Sequence, residues 1–290
     1  MKTLKSYILG AIAAALLISC TKNNESIEEG THVSAVIKFY HSYAIGDEIT
    51  LTDSNNESQT LTLNKFKFII SDVMLRTTDN EQVHLPNNIA ANLIDLANAD
   101  ETNKVRVYLT EVPFGSYKSI SFGLGVSQEV ANGSTEDQTR LMELAEADMQ
   151  WTWNPNSYIF SKIEATNTNT ETTTPKNLIA HVGNKGGFSS YVTIDLEFLE
   201  TLIIKQEISP SIHTTVDIDK LFTPDESIGG AKVPFDLLGH GEANDAFNNF
   251  VTNYKEIFEI GHIHPNEPAI NLEDVEENHH TEETTTGHSH

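Results

Sequence analysis

Thiols are nearly missing from this chain. Its 290 residues include one cysteine, Cys20. No intrachain disulfide can form, and no thiolate-built metal site, which excludes blue-copper centres, zinc ribbons and iron–sulfur clusters. Positive charge is also scarce: 18 Lys+Arg stand against 42 Asp+Glu, for a net charge of −24 with histidine neutral. A nucleic-acid binder needs a basic footprint to displace counterions, and docking on anionic lipid needs one too, so neither partner fits. Catalytic signatures are absent as well. There is no G-x-S-x-G, Walker A, G-x-G-x-x-G or H-E-x-x-H. Gly123-Leu124-Gly125 lacks the third glycine and sits in an apolar run; Asp217 and Asp219 are followed by no calcium loop. A hydrolase would have to be assembled from scattered residues, and the chain is expected not to be an enzyme.

What is present begins with the amino terminus. Lys2 and Lys5 precede an apolar run, Tyr7 to Ile18, that is too short to span a bilayer and ends in Leu17-Ile18-Ser19-Cys20. That shape is a secretory signal over residues 1–19, and its end resembles a bacterial lipobox. The resemblance implies lipidation of Cys20 and cleavage before it. Removing Lys2 and Lys5 takes the charge to −26. Acyl chains hold such a protein to a membrane without a spanning helix. The expected location is the cell envelope, at the outer membrane, on its periplasmic or its surface face. Residues 20–31 read as a polar tether.

The body of the chain is strand-like. His32 to Tyr40 alternates, with Val33, Ala35, Ile37 and Phe39 on one face. Glu48 to Thr52 and Gln59 to Leu63 flank the turn cluster Asp53 to Asn56 and read as a hairpin. Phe66 to Leu75, Asn103 to Leu109, Tyr117 to Val126, Ser157 to Glu164, Tyr191 to Phe198 and Ile203 to Ile208 continue the pattern. Turn signals recur at the spacing of sandwiches. Two helices are expected, Ser134 to Ala147 and Glu242 to Phe258; in the second, Ala246, Phe250, Tyr254 and Phe258 recur every four residues. Ala165 to Lys176 reads as a polar loop. The fold expected is all-β, a β-sandwich with two short helices over residues 32–266. An acidic, His-rich tail follows at 267–290, with seven acidic residues and four histidines, and reads as disordered. His279, His280, His288 and His290 collect metal ions loosely, although a merely solubilising tail would look the same.

The most unusual segment runs from Met149 to Phe160, MQWTWNPNSYIF. It holds both tryptophans, and in an extended chain Met149, Trp151 and Trp153 share a face. Thioether-on-indole packing in a core explains that equally well. The segment resembles the M-x-W-x-W-x-x-G-Y-x-F element of the MbnP-like family, the copper-binding proteins encoded beside methanobactin genes and their bacteroidete lipoprotein relatives. Other elements agree in order: Val36 to His41 (VIKFYH), Leu63 to Arg76 (LNKFKFIISDVMLR), Val112 to Val126 (VPFGSYKSISFGLGV), His181-Val182-Gly183, and Phe247 to His264 (FNNFVTNYKEIFEIGHIH). Together they span residues 33 to 264. Asn156 departs from the family's usual glycine; asparagine tolerates the left-handed turn.

The resemblance implies a sandwich that binds copper outside the cytoplasm. In studied relatives a tryptophan is oxidised to kynurenine by an MbnH-like dihaem enzyme of the cytochrome c peroxidase type and joins the copper site. Ring opening gives an aniline nitrogen that ligates where indole does not. Trp153 is the first candidate here and Trp151 the second. His41 and His181 match family positions, His262 and His264 have ligand-compatible spacing, and Met149 offers a soft thioether. His32, His84 and His213 have no motif behind them. The expected function is copper binding in acquisition or homeostasis. The alternative is a surface module that stacks a glycan on exposed indoles or binds a protein partner.

Overall fold

The structure, a computed structural model, describes residues 32–265 except 53–57, 86–90, 128–130, 132–142, 144–147, 153, 168–176, 185–189, 207, 234–238 and 241–243. Among these residues thirteen strands form two sheets. The smaller has the order β13-β12-β1-β6: β1 is His32–His41, β6 Lys104–Pro113, β12 Ser211–Val216 and β13 Phe258–His264. Its neighbours β1 and β12 run parallel, and β13 is an edge strand. The larger sheet has the path β10-β9-β3-β7-β11, with β3 Ser58–Thr77, β7 Gly115–Leu124, β9 Asn154–Asn167, β10 Leu178–Gly183 and β11 Val192–Ile204. Short strands extend it. β2 (Glu48–Thr52), β4 (Gln82–His84) and β5 (Ala91–Asp95) pair with β3, while β8 (Gln150–Trp151) pairs with β9.

The expected all-β sandwich is observed, with the expected hairpin as β2 and the start of β3. Alternation explains which faces meet. Ala35, Ile37, Phe39 and His41 point inward from β1, and Phe66, Phe68 and Ile70 point inward from β3. Phe39, Phe68, Phe122 and Phe258 interlock between the sheets, with ring centroids 5.4–6.2 Å apart. Each such burial contributes on the order of 2 kcal/mol, and edge-to-face packing adds to it.

Several boundaries differ from the sequence reading: Tyr191 to Phe198, from Val192 on, and the start of Ile203 to Ile208 fall in the one strand β11, and Ala165 to Asn167 still belong to β9. Gln59–Leu63 and Phe66–Leu75 are parts of the one strand β3, which absorbs an irregularity at Asp72, where φ is +51°. The second helix, α1, covers only Asp245–Asn253, with Asn244 as its N-cap. Phe258 leaves the helical pattern because it pairs with Val216 and fills the core as the first residue of β13. The expected helix at Ser134 to Ala147 falls almost wholly outside the described residues, as do residues 1–31, the turn at Asp53 to Asn56 and the tail.

Candidate metal centre

Histidine appears in three settings. The first is inside the sandwich. His41 ends β1 on its inward face, 6 % exposed, with Phe66 and Phe68 at ring-centroid distances of 5.8 and 6.1 Å. Neither of its ring nitrogens has a hydrogen-bond partner among the described residues. Burial lowers its pKa to about 4, so it is neutral at physiological pH.

The second setting is the outer face of the larger sheet. In β10, Leu178, Ala180 and Val182 enter the core, so His181 points the other way. There it meets Trp151 at 6.4 Å and His240 at 4.7 Å between ring centroids, and Trp151 lies 6.4 Å from His240. The backbone brings His240 in, because His181 N–H donates to the Gly239 carbonyl at 2.7 Å. Gly183 allows the close approach of β8 and β9: a Cβ there would lie 2.3 Å from the Tyr158 carbonyl oxygen and 3.2 Å from Trp151 Nε1. The glycine of the His-x-Gly element therefore has a steric reason.

Trp151 is 2 % exposed and packs with Met149, Ile69, Val126, Ile159 and Phe160 in a small second core. Below it lies a charged network. Lys162, 3 % exposed at its side chain, donates to the Asp148 carboxylate at 2.6 Å and the Asp148 carbonyl at 2.7 Å; Lys65 lies 3.5 Å from both Asp148 and Glu164. Burial works against the Asp148 charge, but Lys162 and Lys65 together hold its pKa below the ordinary value. His181 Nε2 lies 2.8 Å from Glu164 Oε1. Burial lowers the His181 pKa to about 4, against the pull of Glu164 and with help from Lys162 and His240. A neutral imidazole facing a carboxylate donates its Nε2–H, which leaves Nδ1 as the lone-pair nitrogen. A carboxylate that orients a ligating imidazole in this way is a usual companion of metal sites.

The third setting is the outer face of the smaller sheet. His213 on β12 is level with His262 on the edge strand β13, and His264 follows two residues on. The ring centroids of the three are 4.2–4.7 Å apart, and one ligand atom from each lies within 4.8 Å of the others. His213 is buried, whereas His262 and His264 are exposed. Among the described residues this is the one such convergence of three His, Cys, Asp or Glu side chains.

The expected ligands therefore do not gather at one point. His181 and Trp151 come together, and so do His262 and His264. His41 faces the interior, on the opposite side of the larger sheet from His181, because Phe66 and Phe68 face inward while Lys162 and His181 face outward. Met149 is fully buried in apolar packing. Trp153 lies outside the described residues, and so does Cys20. His213 and His240 complete the two outer groups, although no motif pointed to them; only strand register and a long-range backbone contact could have found them. An exposed indole platform for sugar stacking is not offered by Trp151, which is buried. Gly123-Leu124-Gly125 serves packing: a Cβ at Gly123 would strike the Tyr191 ring and one at Gly125 the Phe160 ring. Asp217 caps a single 3-10 turn at Ile218–Leu221, and Asp219 accepts the Tyr43 hydroxyl.

The MbnP family model matches residues 33–237. This chain belongs to the MbnP family. The match contains Trp151, His181 and His213 and stops before His240 and His262. A solved structure, MbnP from Methylosinus trichosporium, is similar at 12 % identity, covering 74 % of this chain and 82 % of that one with a TM-score of 0.40. No curated protein matches.

Proposed function

We propose that this MbnP-family chain is a lipid-anchored envelope protein that holds copper as cargo, in acquisition or homeostasis, and catalyses nothing itself. The observation that carries this reading is the group Trp151, His181 and His240 beside the larger sheet, of which Trp151 and His181 lie inside the family region. The donors suit the ion. Imidazole binds copper in either common oxidation state, and the chain offers no thiolate beyond Cys20 to compete. His181 is neutral and oriented by Glu164, so it meets the ion without first losing a proton.

Indole itself is a poor ligand. Oxidation of Trp151 or Trp153 to kynurenine by an MbnH-like dihaem partner would supply an aniline nitrogen at this position. In this reading Cys20 carries the lipid that holds the domain at the outer membrane. Among the described residues no helix is long and apolar enough to cross a bilayer.

The test is copper titration of the full chain against a chromophoric chelator. The His181→Ala/His240→Ala variant should lose the tightest copper equivalent; unchanged tight binding in that variant overturns the reading. Peptide mass spectrometry on protein from its native host checks the tryptophans, with modification expected at Trp151 or Trp153.

A further inference from the structure

The family region does not account for β13. Strand alternation explains how β13 carries its histidines. Phe258 is buried in the core and Ile260 packs against it; continued alternation would send His262 and His264 inward as well. A bulge prevents this. His213 pairs with His262, but the next pairing is Thr214 with Ile260, so Gly261 is an extra residue on β13. The shift returns Ile263 to the core at 5 % exposure and turns His262 and His264 onto the outer face, beside His213. On the far side of His213, the Tyr40 ring stacks at 4.9 Å and 33°, fixing the imidazole plane between it and the edge strand.

We infer that His213, His262 and His264 form a second metal site, for Zn(II) or Cu(II), separate from the Trp151 group and independent of any tryptophan oxidation. The two groups occupy the outer faces of different sheets, with the whole core between them. Three imidazoles without a carboxylate or thiolate select borderline late first-row ions over calcium or magnesium. The spacing is near what an ion needs. Two nitrogens bound tetrahedrally at about 2.0–2.1 Å are roughly 3.3 Å apart. His262 Nε2 and His264 Nε2 are 2.9 Å apart as a hydrogen-bonded pair, so an ion replaces that bond with a small opening. His213 closes in from within 4.8 Å. Because the two edge imidazoles are exposed, the fourth position opens to solvent, as in three-histidine sites that keep a water or take up a further ligand.

The test is calorimetric titration of the full chain with Zn(II), and separately with Cu(II). His279, His280, His288 and His290 are replaced by Asn in every sample, so that the tail does not contribute. The His262→Ala/His264→Ala variant changes only exposed side chains and should keep the parent's circular dichroism. It is expected to lose one equivalent of each ion, with affinity at that site falling ~100-fold or more, since even losing an outer partner of a ligand costs about 10–100-fold. His181→Ala should retain that equivalent. Its Cu(II) form should show nitrogen couplings from three imidazoles by electron paramagnetic resonance, and these should vanish in the edge-strand variant. Equal stoichiometry and affinity in the edge-strand variant and the parent would overturn the inference, as would loss of this equivalent in His181→Ala. Failure of the Trp151 group to bind copper leaves this result untouched.

Discussion

The two outer faces of the sandwich carry histidine in opposite ways. On the larger sheet, His181 is walled in by a buried indole, a second imidazole and a carboxylate, above a lysine–aspartate network that pins residues 148–151 against β9. On the smaller sheet, two of three imidazoles stand in water on an edge strand and depend on a single bulge. The first group is part of the packing; the second is laid on top of it. Disturbing the first should therefore damage stability and metal binding together, while disturbing the second should separate them.

The largest effect is expected at Trp151. Trp151→Ala opens a cavity beside Met149, Ile159 and Phe160 and should cost about 3–5 kcal/mol in chemical denaturation. A loss under ~1 kcal/mol, with copper binding gone, would mean that this indole is a ligand platform and not a core residue, which would erase the contrast.

His41 sharpens the comparison from inside. The unfolded chain takes up this proton near pH 6.5, but the folded protein resists until about pH 4. Between those values protonation favours the unfolded state, so stability falls as pH falls and levels off below 4. This one group accounts for about 3 kcal/mol of acid sensitivity. His41→Leu should flatten that part of the stability–pH curve. It should also raise stability at pH 7 by about 1 kcal/mol, because two buried nitrogens without partners are removed. Equal slopes for variant and parent between pH 6.5 and 4 would show that His41 is solvated or paired.

Asp148→Asn tests whether the charged network supports the indole group. Asparagine keeps the left-handed backbone, where φ is +63°, and an acceptor oxygen, but leaves the buried Lys162 ammonium facing a neutral amide in place of a carboxylate. About 1–2 kcal/mol should be lost. Because β8 follows directly, tryptophan fluorescence should report a shifted Trp151 environment.

These contrasts also show what the sequence disclosed. Alternation along His32 to Tyr40 gave β1 and its buried face, because a strand half buried in a sandwich must alternate. Thioether-on-indole packing at Met149 and Trp151 was legible and forms the second core, whereas the steric reason for the glycine of His-x-Gly was not. Tertiary pairing stayed hidden. The repeat Ala246, Phe250, Tyr254 and Phe258 satisfies a helix, yet helix α1 ends at Asn253 because Phe258 is worth more in the inter-sheet cluster. His41 and His181 looked equivalent as lone histidines; only their strands' facing separates interior from exterior. His213 had no local mark at all, since its partners lie about fifty residues away and face it only through the β12–β13 register.

The smallest effect carries the most information about the smaller sheet. Without metal, His262→Ala/His264→Ala should change stability by no more than about 0.5 kcal/mol, because both side chains are exposed on an edge and the hydrogen bond between them disappears with both partners. With free Zn(II) at a hundred times its dissociation constant, the parent should gain about 2.7 kcal/mol and the variant almost nothing, since only a folded sheet brings His213 level with His262. A thermal melt of each protein with and without Zn(II) reads this directly, again with the four tail histidines replaced. The difference arises only if the three imidazoles act as one ligand set: a gain that survives the loss of both edge histidines places the zinc elsewhere. A gain absent from both proteins means that the bulge at Gly261 turns these side chains outward for no ion at all.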